Sequence, residues 1–97
     1  MIMHAVTFRW HDDVTEAQVK ALTDALSALP DKIPVLLSYR FGRDLGQREG
    51  NGDYAAALPD AESIPAYLDH PAHIDVVQRY TSKMIADRIS VQFTLPQ

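Results

Sequence analysis

Residues 88–95 read R-I-S-V-Q-F-T-L, with polar and apolar side chains alternating without a break. Successive side chains of an extended chain point to opposite faces, so this segment is a strand with one polar and one apolar face. Its backbone donors and acceptors need strands beside them. Residues 3–10 supply one, with His4, Val6, Phe8 and Trp10 on one face and Met3, Ala5, Thr7 and Arg9 on the other. Residues 35–41 (V-L-L-S-Y-R-F) begin apolar on both faces, and residues 54–58 (Y-A-A-A-L) are the shortest candidate.

Helices fit the remaining intervals. T-E-A-Q, residues 15–18, has capping-box spacing, in which the Thr hydroxyl serves an orphan N–H and the Gln side chain reaches back. Val19, Leu22, Leu26 and Leu29 follow as one apolar stripe, which Pro30 is expected to close. Residues 60–69 place Ile64, Tyr67 and Leu68 on one side. A proline inside a helix costs about 3 kcal/mol, so Pro65 belongs in the first turn and the start lies between Asp60 and Ser63. His70 and Pro71 break that helix, and Pro71 suits the first position of another, with Ile74, Val77 and Tyr80 as its apolar stripe. Residues 42–53 hold all four glycines and predict a flexible hairpin loop; no helix follows them and no G-K-[ST] ending is present, as a phosphate-binding loop would need. The order β-α-β-β-α-β predicts one α+β domain over residues 1–97. It is the ferredoxin-like arrangement, a four-stranded antiparallel sheet with helices on one face.

Composition excludes several functions. Thirteen acidic and nine basic residues are interspersed to a net charge of −4, so no basic stripe meets nucleic acid. The apolar runs are far too short for a membrane span, and Met1-Ile2-Met3-His4 shows no signal-peptide pattern. There is no cysteine, which removes disulfides, thiolate metal sites and a thiol nucleophile and fits a cytoplasmic setting. A domain this small buries only about 60–65% of its unfolded surface, so dimerisation is a natural source of further stability.

The chemistry concentrates in Y-L-D-H-P-A-H, residues 67–73. With Pro71 as the first helical residue, His73 lies in the first turn, where the helix N-terminus disfavours the imidazolium and burial disfavours it further. A neutral imidazole accepts a proton, as a general base must. The Tyr67 phenol is suited to hydrogen-bond a developing enolate oxygen. His4 shares its strand face with Val6, Phe8 and Trp10, so it falls beneath the helices if that face meets them. His73, Tyr67 and His4 are therefore the candidate catalytic residues of one cavity. The same residues also fit a structural role: His70 as a helix cap, His73 bonded to a backbone carbonyl, Tyr67 in the core. A metal site from His70, His73 and Asp69 or Asp75 matches no established ligand spacing. His11 is expected at the surface, and no nucleophile motif is present. No metal and no cofactor is expected.

The segments H-A-V-T-F-R-W, V-T-E-A-Q, L-P-D-K-I-P-V-L-L-S-Y-R-F-G-R-D-L, A-Y-L-D-H-P-A-H and D-R-I-S-V-Q-F together resemble the stress-responsive α/β-barrel (Dabb) domain family along nearly the whole chain. The resemblance implies a homodimer in which two protomers' sheets pack into a dimeric α+β barrel. Packed through Arg88, Ser90, Gln92 and Thr94, such a dimer would have a partly polar centre. The family includes a plant polyketide cyclase that performs a cofactor-free aldol cyclisation. Carried over by motif, its base falls on His73, its tyrosine on Tyr67 and a strand-one histidine on His4. A further histidine of that enzyme, just after the tyrosine matching Tyr54, is replaced here by Ala55 and Ala56. The resemblance thus implies a cavity for a small aromatic or polyketide-like compound and cofactor-free cyclase or lyase chemistry. The alternative is a non-catalytic ligand-binding or stress-associated dimer.

Overall fold

The structure, a computed structural model, describes residues 2–33, 39–59 and 63–95. Four strands form one antiparallel sheet: β1 (Ile2–Trp10), β2 (Arg40–Arg43), β3 (Tyr54–Pro59) and β4 (Ile85–Thr94), in the order β2-β3-β1-β4. The alternating strand near the N-terminus is central, paired with β3 on one side and β4 on the other. His4 lies between Leu58 and Gln92, Val6 between Ala56 and Ser90, and Phe8 between Tyr54 and Arg88. One face of the sheet therefore gathers these residues.

The helices cover that face. The first, α1 (Glu16–Ser27), opens on the expected capping box, with Gln18 N–H donating to Thr15 Oγ1 at 3.2 Å and Thr15 N–H to Gln18 Oε1 at 2.7 Å. After it come α2 (Leu29–Lys32), α3 (Ser63–Leu68) and α4 (Pro71–Val76), which continues through a wide π-helical turn (Val77–Thr81) into α5 (Ser82–Met84). Leu22, Leu26, Leu29, Ile33, Val76 and Met84 are buried against Tyr54 and Leu58 of β3. This layer of side chains is the core.

Several boundaries differ from the sequence reading. Pro30 closes the first helix, whose last residue is Ser27, and itself sits in the first turn of α2. Having no N–H for the Leu26 carbonyl, it ends the α1 ladder early, while the first turn of α2 needs no such donor. β2 runs on through Gly42 and Arg43, and the expected start of that strand, residues 35–38, lies outside the described residues. Residues 60–62 of the second helical region also lie outside them. The loop after β2 is tied down: Asp53 N–H donates to the Phe8 carbonyl at 2.7 Å, and Trp10 N–H donates to the Asp53 carboxylate at 2.8 Å. Gly52 is needed there, because a Cβ would stand 2.9 Å from the Phe8 carbonyl oxygen.

The stripe expected after Pro71 is also displaced. Ile74 is exposed, Val77 and Tyr80 are half-buried, and the fully buried positions are Val76, Thr81 and Met84. A π-helical turn adds a residue to the helical repeat, so Thr81 rather than Tyr80 follows Val76 inward. The larger correction concerns β4. Arg88, Ser90 and Gln92, expected at a packed sheet surface between protomers, lie on the helix side with His4, Val6 and Phe8. Ile89, Val91 and Phe93 face away and are 68%, 54% and 45% exposed.

The burial pattern sets a stability contrast. Leu22, with no exposed surface, should lose about 2–5 kcal/mol on truncation to Ala. Leu45→Ala, at an exposed loop position, should stay within about 0.5 kcal/mol of wild type. Urea denaturation of the two variants measures both.

Candidate functional site

A cavity of about 160 Å³ lies between the sheet and the helices. His4 reaches it from β1, Tyr67 from α3 and His73 from α4, so all three sequence candidates line one chamber. Val6, Phe8, Ala56 and Val76 supply much of its apolar wall. The volume suits a single substituted ring, since an engineered apolar cavity of about 150 Å³ accepts benzene.

The H-P-A-H segment positions His73 by local rules. His70 is the N-cap of α4: its Nδ1 accepts a hydrogen bond from Ala72 N–H at 3.0 Å, and Pro71 follows where a missing N–H costs nothing. His73 then lies in the first turn, with Nδ1 3.1 Å from the Leu68 carbonyl oxygen at the end of α3. A carbonyl only accepts, so Nδ1 carries the proton and Nε2 keeps its lone pair. The same bond satisfies a helix-end carbonyl that would otherwise lack a partner. Tyr67 precedes Leu68, which brings its ring against the imidazole, centroid to centroid 4.3 Å and tilted 50°.

Burial holds the His73 pKa below the ordinary imidazole value of 6.5; the Leu68 bond opposes this, and His4 and Arg88 add to the lowering. His4 is 7% exposed, and its pKa is lowered first by burial and then by the Arg88 guanidinium. Its Nδ1 accepts from the Gln92 amide at 3.1 Å, so its proton is on Nε2. The two imidazoles thus hold opposite tautomers: one offers a lone pair beyond its anchor, the other a donor.

Tyr67 is buried, and its hydroxyl lies 2.6 Å from that of Tyr39. Burial raises the pKa of both phenols, so both stay protonated at neutral pH. Either hydroxyl can donate in this pair, and in the arrangement where Tyr39 donates the Tyr67 proton is free for a third partner. Tyr39, Arg88, Ser90 and Thr81 also line the cavity, and none was among the sequence candidates. The alternation of residues 88–95 contained the signal for two of them, but it cannot say which face turns inward. Ala56 lines the wall without contributing a polar side chain, and His11 is exposed. Among the described residues no three His, Asp or Glu side chains cluster as metal ligands, and no helix is long and apolar enough to cross a membrane.

Sheet, helices and chamber define a ferredoxin-like α+β protein with two imidazoles and two phenols around a small internal cavity. The Stress Responsive A/B Barrel Domain (Dabb) matches residues 2–95, and the chain belongs to that family. It is 25% identical over 91 residues to olivetolic acid cyclase of Cannabis sativa, spanning 87% of this chain and 90% of the cyclase. It is 32% identical over 94 residues to an uncharacterised protein of Streptomyces coelicolor, spanning 90% of this chain and 97% of the other. Among solved structures, a dimeric ferredoxin-like protein of unknown function from Thermobifida fusca superposes with a TM-score of 0.86 at 45% identity, covering 97% of this chain and 90% of that one.

The lowered imidazole pKa values give a signed pH dependence. As pH falls below 6.5, the unfolded chain protonates these histidines while the folded chain resists, so the unfolded state binds more protons and stability declines. The decline ends once the folded pKa values are passed. NMR titration of the imidazole protons should place both midpoints below 6.5, and the urea midpoint should fall over the same window.

Proposed function

We propose that this protein is a homodimeric, cofactor-independent enzyme of cyclase or lyase type, acting on a small ketone-bearing aromatic or polyketide-like compound held in the cavity. The observation that carries the reading is the His73–Leu68 bond, which fixes a neutral imidazole with a free Nε2 in the wall that also holds Tyr67 and His4. His73 Nε2 takes the proton from the carbon beside the ketone, and the C–H electron pair forms the enolate. Tyr67 donates its hydroxyl proton as a hydrogen bond to the enolate oxygen, and His4 Nε2–H orients the substrate. The enolate carbon then bonds to a second carbonyl carbon of the same molecule, whose oxygen takes the proton back from the His73 imidazolium. The chain's identity to olivetolic acid cyclase supports this chemistry, and the absence of cysteine supports a cytoplasmic setting.

The test is deuterium exchange beside the ketone of a small aryl β-diketone in D2O, followed by NMR. Wild type should accelerate exchange, with an acid limb below pH 6.5. His73→Ala should lose about 10²–10⁴-fold, the usual contribution of a general base. An unchanged rate in a folded His73→Ala variant overturns the proposal.

The same bond also favours a second reading, a non-catalytic ligand-binding or stress-associated dimer in which His70 and His73 serve the junction of α3 and α4. It predicts no exchange by wild type and a loss of about 1–3 kcal/mol in His73→Ala, the cost of stranding a polar partner.

Both readings include assembly through the sheet. Ile89, Val91 and Phe93 form an exposed apolar row on the face away from the helices, with Met3 opposite Phe93 and Ala5 opposite Val91. Contiguous apolar exposure of this kind marks an interaction surface, and the relative from Thermobifida fusca is described as dimeric. Val91→Asp should convert a dimer into monomers in sedimentation velocity. A variant still dimeric at micromolar concentration would place the interface elsewhere.

A further inference from the structure

The cavity has a chemically one-sided mouth. Among the described residues its lining includes a single permanently charged group, the Arg88 guanidinium, and no aspartate or glutamate. Arg88 projects from β4, an edge strand, opposite Phe8 on the helix-facing side. It is exposed and yet lines the chamber, which puts it at the opening rather than at the base. A second depression, formed by Val77, Thr81, Ser82, Ile85 and Arg88, shares four of these five residues with the cavity. The chamber therefore opens outward between the π-helical turn and the start of β4, with Arg88 at the join.

Three of the other cations have carboxylate partners. Arg43 pairs with Glu16, Arg79 with Asp75 and Lys20 with Asp24. Among the described residues no carboxylate lies within ion-pair distance of Arg88. The adjacent acid, Asp87, accepts a hydrogen bond from the Arg88 backbone N–H at 3.0 Å. A chain of net charge −4 thus carries, at the entrance of its one-ring chamber, a planar five-donor cation with no carboxylate partner among the described residues.

We infer that Arg88 selects the ligand: the site takes small ring compounds bearing a carboxylate, the ring inside and the carboxylate on the guanidinium at the mouth. This rests on the proposed use of the cavity and adds the chemical class of its occupant. Guanidinium and carboxylate match as two parallel N–H···O bonds. A phosphate or pyrophosphate would call for several donors, and the mouth offers one guanidinium. The carboxylate fixes which end of the molecule points inward, and so which ring carbons stand near His73 and Tyr67.

Matched pairs separate this role from the cavity reading itself. Benzoate and its neutral isostere benzamide are titrated into isotopically labelled full-length protein in a buffer free of carboxylate and phosphate, with binding read from amide shifts. Wild type, Arg88→Gln, Arg88→Lys and Arg79→Gln are compared. Wild type should bind benzoate about tenfold more tightly than benzamide, the size of a charge-assisted hydrogen bond, with shifts at Val77, Thr81 and Arg88. Arg88→Gln should abolish the preference by weakening benzoate alone, Arg88→Lys should keep part of it, and Arg79→Gln, which removes an exposed cation outside the cavity lining, should keep it in full. Equal binding of both compounds by wild type, or a preference surviving Arg88→Gln, overturns the role of Arg88 and leaves the cavity reading standing. Failure of both compounds to bind wild type overturns both.

Discussion

The pairing register between β1 and β4 decides what this protein has to work with. Side chains of a strand alternate faces, so a slip of one residue would move every residue of β4 to the other side of the sheet. In the observed register Gln92 stands beside His4 and Arg88 beside Phe8, all toward the helices, while Ile89, Val91 and Phe93 face outward. Slipped by one, the chamber would be lined with aliphatic side chains and the outer face would be polar. The His4–Gln92 hydrogen bond and the exposed apolar row are two results of one alignment. Strand β1, paired on both edges, is what holds it.

The helical side depends on a comparably local rule. A proline at position 71 forces the chain out of one helix and starts the next, so the end of α3 and the beginning of α4 lie against each other. Each leaves backbone groups without intrahelical partners. Two histidines supply them: His70 accepts from Ala72 N–H, and His73 donates to the Leu68 carbonyl. What distinguishes them is the remaining nitrogen. His73 lines the cavity with a lone pair on Nε2, beside a tyrosine whose own hydroxyl is held by Tyr39. A structural bond and a chemically useful tautomer are the same feature seen from two ends of one ring.

Much of this arrangement was legible in the sequence. Alternation placed β1 to within a residue and β4 except for its first three residues, T-E-A-Q marked the start of α1, and the proline rule marked the start of α4. His4, Tyr67 and His73 were placed together by strand face and helix spacing. What escaped were properties that belong to neither strand nor helix alone. Alternation distinguishes two faces without naming the inner one, and the usual expectation that the apolar side packs inward fails here because the inner side of β4 contributes Arg88 and Ser90 to the wall of a chamber. Arg88 was therefore assigned to the wrong surface. Tyr39 was missed because its role depends on a partner 28 positions away. Thr81 was missed in favour of Tyr80 because a constant helical period was assumed across a segment whose period changes.

That change of period shapes the interior. After Val76, an unbroken α-helix would bring position 80 to the inward side one turn later. Position 80 is tyrosine, and its ring would fill much of the space between sheet and helices. The five-residue turn from Val77 to Thr81 carries the tyrosine aside and presents a threonine. One inserted residue in the winding thus puts a small hydroxyl side chain, rather than a phenol ring, in the wall of the cavity.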